Sequence, residues 1–242
     1  MSQANWNQLT GGLGATDVAH GATQLVAPTS GAGDWSYGFN SLTAVAGVVG
    51  WHVNLSNFDP MLKGGSIRGV FQRGVSPGPT GFSPMLFIGL QGSAVGSQGY
   101  ILGLSDAASF RIVLRKGALS GGIPDVAPGT SGVLKRSANV FPQATWLHLR
   151  LDMIVNLTGD VILQMYRNDL ALHPIGSTPD WQIISGTAAP PAFNGTAAFL
   201  DDSLGVNSGS LPFVNGRAGF AFQTAVATRR AFFDELELER QL

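Results

Sequence analysis

The stretch 146–168, WLHLRLDMIVNLTGDVILQMYRN, constrains this chain more than any other. Leu147, Leu149, Leu151, Met153 and Val155 alternate with Trp146, His148, Arg150, Asp152 and Ile154, the period of a strand buried on one face. Thr158, Gly159 and Asp160 supply the small, φ-tolerant residues of a tight reversal. Val161, Leu163 and Met165 then alternate with Ile162, Gln164 and Tyr166. Two strands joined this way make an antiparallel hairpin, and the remaining sequence reads as β structure packed around it.

The rest of the chain has the same grain. The hydrophobic fraction of 44% is ample for a core, and 33 glycines and 13 prolines cut it into short runs, which favours a sandwich or barrel over helices. Strands are expected over 43–55, 66–73, 85–90, 99–104 and 110–116, and in the C-terminal stretch from Ala218 onward. The continuous apolar run 85–90 reads as a central strand. Irregular connections are expected at 74–84, 119–141 and 170–215, and any of the three could serve as a binding loop or contact surface. Pro60 and its neighbours break the strand before 66–73. Residues 1–40 have little periodicity and form either an edge of the sandwich or an arm that orders on a neighbouring subunit. Residues 41–242 form one sandwich domain.

Composition limits the function. A charged fraction of 12% is about half the usual share of a soluble domain, which suits a surface that meets protein partners. The net charge of −1 offers no footprint for nucleic acid. With no cysteine there is no disulfide, thiolate nucleophile or thiolate metal site. The start, MSQANWNQL, lacks a basic stretch followed by an apolar one, so no secretory leader is expected, and no apolar run is long enough for a membrane helix.

No reactive constellation stands out. The only glutamates, Glu235, Glu237 and Glu239, alternate on the last strand with Phe232, Leu236 and Leu238 opposite, and read as a solvated or partner-facing row. Asp152 lies on the face of His148 and Arg150, as the structural partner of Arg150 or as one acid of a sugar site. His20, His52, His148 and His173 are dispersed without zinc spacing. No metal site and no cofactor are expected. The nearest to a metal set is Asp201, Asp202 and Asn207, a partial group of calcium-type oxygens that reads first as a turn with Asx hydrogen bonds. Trp35, Tyr37, Trp51, Tyr100 and Trp181 are the aromatic residues suited to stacking on sugar rings, or to the core.

The segments WLHLRLDMIVNLTGDVILQMYRN and GRAGFAFQTAVATRRAFFDELEL resemble the concanavalin A-like or laminin G-like jelly-roll superfamily. Trp146, Leu149, Leu151, Gly159, Gly216, Gly219, Phe220, Phe222, Phe233 and Asp234 carry the match. The resemblance implies an antiparallel β-sandwich of jelly-roll type, all-β, as in the lectins and glucanases of that superfamily. Over more of the chain, YGFNSL, NFDPMLKGGSIRG, PTGFSPMLFIGLQG, GYILGLSD, RIVLRKG, TWLHLRLD and TRRAFFDELE resemble a family of virion-associated proteins of tailed bacteriophages. That implies a particle subunit made in the host bacterial cytoplasm, in the tail or baseplate or decorating the capsid, assembling with itself and with other virion proteins. The expectation is therefore a structural protein and not an enzyme. A carbohydrate-binding, lectin-like module that recognises a host surface glycan is the alternative.

Overall fold

The computed structural model describes residues 6–23, 36–53, 64–73, 82–107, 110–189 and 198–240. In chain order the strands are β1 (Trp6–Gln8), β2 (Val18–Thr23), β3 (Ser36–Ser41), β4 (Gly47–Val53), β5 (Gly65–Arg73), β6 (Phe82–Leu90), β7 (Gln98–Leu104) and β8 (Ile112–Ala118). There follow β9 (Val133–Ser137), β10 (Trp146–Val155), β11 (Val161–Asn168), β12 (Gln182–Ile183), β13 (Gly186–Ala188), β14 (Phe199–Asp201), β15 (Arg217–Thr224) and β16 (Arg230–Arg240). They form two sheets, ordered β1-β4-β15-β6-β7-β8-β9-β13 and β12-β11-β10-β5-β16-β3-β2, with β14 also on β11. The result is the expected antiparallel β-sandwich of jelly-roll type.

The hairpin of β10 and β11 lies in the second sheet in the register its alternation dictates, Leu151 opposite Met165 and Asp152 opposite Gln164. Its loop is organised by Asn156, whose Oδ1 accepts from the Thr158 and Asp160 backbone N–H groups at 3.1 and 2.9 Å, while Gly159 takes a φ of 86°. Leu147, Leu149, Leu151 and Met153 point into the core against Leu86, Ile88, Leu102 and Leu114 of the first sheet. Complete burial of each such side chain stabilises by roughly 1.5–3 kcal/mol.

β6 is central and buried along its whole length, which explains its unbroken apolar sequence. It begins at Phe82, earlier than the sequence suggests, and contains Pro84. The proline is tolerated because pairing with β7 starts only at Met85. A second apolar cluster covers the outer face of the first sheet, where Leu119, Ile123 and Val133 pack on Met85, Phe87, Ile101 and Val113. The segment 119–141 is therefore largely a cover for this sheet, and it contributes β9 as well.

In the last strand the alternation read from the sequence is interrupted. The pairing of β16 with β5 steps from Asp234 opposite Val70 to Glu237 opposite Arg68, one residue more on β16 than on β5, and Glu235 has a φ of 47°. This bulge reverses the face of everything before it. Phe232 thus packs near Trp146 on the outer side, ring centroids 6.3 Å apart, whereas Leu236 and Leu238 pack against the core. Of the first forty residues, those described lie in β1, β2, β3 and the chain between β1 and β2. Trp35, the 57–60 break and most of the 74–84 connection lie outside the described residues.

Candidate functional site

β1 and β2 are the edge strands of the two sheets, and the sandwich opens between them. Core aromatics continue outward through this opening. Phe39 stacks on Phe222 with centroids 5.5 Å apart, and Phe220 lies nearly parallel to Trp51 at 5.7 Å. Trp6 meets Phe220 edge-on at 5.1 Å. From the second sheet, His20 and Tyr37 both meet Trp51 edge-on, at 4.7 and 5.6 Å. The cleft so formed has a volume of about 360 Å³ and is lined by Trp6, Asn7, Gln8, His20, Tyr37, Trp51 and Phe220, within the range of small-ligand sites.

Strand parity explains this convergence. Gln8 pairs with Trp51 across β1 and β4, and His20 pairs with Phe39 across β2 and β3, so each pair shares one face of its sheet, and among the described residues no strand lies beyond β1 or β2. His20 Nδ1 and the Tyr37 hydroxyl share a hydrogen bond of 2.7 Å. Burial holds the imidazole below its usual pKa and raises that of the phenol, so both are neutral at pH 7. Tyr37 and Trp51, two of the five aromatics singled out from the sequence, meet here, joined by Trp6, His20 and Phe220. Tyr100 is instead fully buried, and Trp181 lies over His148, centroids 4.5 Å apart.

The outer face of the second sheet carries the other cluster of functional groups. Arg150 and Asp152 form the expected pair, Nε to Oδ1 at 2.5 Å and Nη2 to Oδ2 at 3.2 Å. Arg68 bonds Glu237 through Nε at 3.1 Å and pairs with it through Nη2; Nη2 also reaches Glu239 at 3.4 Å. Glu239 accepts from Ser66 at 3.2 Å and stands 3.8 Å from Arg150. Glu237 and Glu239 thus belong to an ion-paired ladder across three strands, and Glu235 lies on the bulge. His148 is buried beside Asn168, and burial followed by the Arg68 cation lowers its pKa to about 4.

The partial calcium set is used internally. Asp201 is completely buried and accepts from Tyr100 and Ser208, each at 2.5 Å. Asp202 accepts from the backbone N–H groups of Leu204, Val206 and Asn207 at 3.1, 3.1 and 2.7 Å. The bond from Asn207, with those from Val206 and Leu204, holds its carboxyl below the usual value. The Asn207 amide donates to the Leu200 carbonyl at 2.9 Å. Among the described residues no group of three or more His, Cys, Asp or Glu is placed to hold a metal ion.

No family model matches the sequence, and no curated protein matches it significantly. Solved structures share the fold. The PL-14 alginate lyase of the marine Aplysia kurodai superposes with a TM-score of 0.50 at 10% identity, covering 88% of this chain and 86% of that one. The Emp46p carbohydrate recognition domain in its potassium-bound form gives 0.46 at 12% identity, over 98% and 91%. A carbohydrate esterase of the Shiga toxin-encoding bacteriophage phi24B gives 0.43 at 13%, also over 98% and 91%. The first of these likenesses agrees with the two-sheet antiparallel jelly roll and extends to the fold alone. The expectation that the chain is not an enzyme is corrected by the first of them: the fold is shared with a lyase, so a missing linear motif is no ground for excluding catalysis. The reason is topological. Register brings Asp152 and Glu239 to one guanidinium, Arg150, and no linear motif reports such a meeting.

Proposed function

We propose that this chain binds carbohydrate, and that the sugar-contacting surface is the cleft between β1 and β2. The observation that carries this reading is the convergence of Trp6, Tyr37 and Trp51 around an open volume of about 360 Å³, with Gln8 and His20 at its wall. Pyranose rings present a C–H face that packs on aromatic rings, while their hydroxyls need a few placed polar partners. The cleft offers both. Titration calorimetry and a printed bacterial glycan array test it: saturable binding is expected from the intact chain, with a loss of at least about tenfold on Trp51→Ala. A blank array, or a Trp51→Ala variant with wild-type affinity, overturns the reading.

The site of action we infer is a bacteriophage particle, where a glycan-binding subunit would engage the host surface. Supporting this are the charged fraction of 12% and the apolar loop residues Leu157, Leu172, Leu204, Val206 and Leu211, all more than 60% exposed, which suit protein contacts in an assembly. Mass spectrometry of purified particles tests the placement, and absence of the chain from them overturns it.

A further inference from the structure

Among the described residues, the lining of the cleft contains no Lys, Arg, Asp or Glu. A titratable pair in it, His20 and Tyr37, is hydrogen-bonded internally through His20 Nδ1. Its walls are the faces and edges of Trp6, Tyr37, Trp51 and Phe220, packed on each other at centroid distances of 5.1–6.1 Å. A carboxylate brought into such a space gives up water and meets no cation among the described residues, a cost that only pairing or charged hydrogen bonds would offset. An uncharged ring incurs no such cost.

One polar group is available beside the stacking surface. Gln8 is exposed and its amide is uncommitted among the described residues. Register sets it directly opposite Trp51, on the same side of the sheet. An amide offers two donors and an acceptor in one plane, which matches two neighbouring hydroxyls at the rim of a ring lying on the indole. The guanidinium groups of Arg68 and Arg150, which could receive a carboxylate, are on the outer face of the second sheet and already paired.

Resting on the carbohydrate-binding reading, we propose that the cleft selects an uncharged pyranose, that Gln8 reads its hydroxyls, and that sugars bearing a carboxylate are turned away. The substrate class is thus a neutral hexose unit within or at the end of a glycan.

The test uses the full chain and an array of hexose oligosaccharides printed beside their hexuronate counterparts, followed by calorimetry on the pair with the strongest signal. The neutral member is expected to bind at least tenfold tighter than its uronate, at both low and high salt. Gln8→Ala is expected to weaken neutral binding at least fivefold while leaving the unfolding midpoint unchanged. Uronate binding equal to or tighter than neutral binding, or a Gln8→Ala variant at wild-type affinity, overturns the selectivity and leaves the cleft as a carbohydrate site. Absence of binding to every neutral and acidic sugar overturns the carbohydrate reading itself, and this inference with it.

Discussion

The Lys116 ammonium stands 2.7 Å from Asp201 Oδ2, and the two side chains are 4% and 0% exposed. Lys116 follows Ile112 and Leu114 on the core-facing side of β8, so strand alternation drives its side chain inward. There the ammonium also reaches Ser208 Oγ and the carbonyls of Ser210 and Leu211 at 2.7–2.8 Å. Asp201 in turn accepts from the Tyr100 hydroxyl, which itself accepts from the Phe213 N–H at 2.9 Å. A single buried network therefore ties the chain between β14 and β15 to two strands of the first sheet.

Removing one charge from a buried pair strands the other, at a cost of about 3–5 kcal/mol. Lys116→Met and Asp201→Asn are each expected to lose that much in urea-induced unfolding. The double variant is expected to lose clearly less than the sum, because neither charge is then left alone. Additive losses, or single losses below about 1 kcal/mol, would show that the network does not hold the loop.

His148 makes stability pH-dependent. Its folded pKa of about 4 lies below the ordinary value of 6.5. Below pH 6.5 the unfolded chain takes up a proton that the folded chain refuses, so stability falls as pH drops from about 6.5 to about 4, and this group adds nothing to the slope above that window. The full effect is about 3 kcal/mol. Urea unfolding at pH 7 and pH 4.5 is expected to show the loss in the wild type and a much smaller one in His148→Gln. Equal losses in both would assign the acid sensitivity elsewhere.

How far the sequence reveals this molecule depends on distance along the chain. Leu147 to Val155 and Val161 to Tyr166 declare their strands, their turn and their buried face, because a hairpin is a local object and its period is written in adjacent residues. The cleft is different. Trp6, His20, Tyr37, Trp51 and Phe220 come from five strands, and only the pairing of β1 with β4 and the coincidence of two sheet edges unite them. Tyr37 and Trp51 were legible as aromatics but not as neighbours. Likewise the inward direction of Lys116 follows from the period of β8, but its partner Asp201 lies in a stretch without periodicity. The bulge at Glu235 left no sequence signal: glutamate is not a residue that announces a positive φ, and the apparent alternation of 232–239 hid the reversal.

Gly219 of the GRAGFAF segment has a steric reason to be glycine. A Cβ there would lie 2.0 Å from the Trp51 carbonyl oxygen and 2.6 Å from the Phe87 ring. β15 is hydrogen-bonded on both sides, so it cannot move away from one neighbour without straining the other. Gly219→Ala is expected to cost about 1–3 kcal/mol and, because it displaces β4 at Trp51, to weaken sugar binding as well. A thermal melt and a binding isotherm on the same sample check both, and an unchanged melting temperature would contradict the close approach.

Glu235 holds a φ of 47°, a left-handed conformation that costs an ordinary residue roughly 1–2 kcal/mol. The bulge it forms sets Glu237 opposite Arg68, so the strain is retained in exchange for register. Glycine adopts this conformation freely but loses more backbone entropy on folding. Glu235→Gly is therefore expected to be neutral or to gain up to about 1 kcal/mol, Glu235→Val to lose stability, and Glu235→Pro, whose ring fixes φ near −65°, to lose the most. Deleting Glu235 removes the extra residue and leaves Asp234 opposite Val70 and Glu237 opposite Arg68, so the deletion is expected to keep the ion pairs and to cost less than the proline variant. Differential scanning calorimetry of the four variants gives the ranking, and a valine variant as stable as the glycine one would show that the bulge is absent in solution.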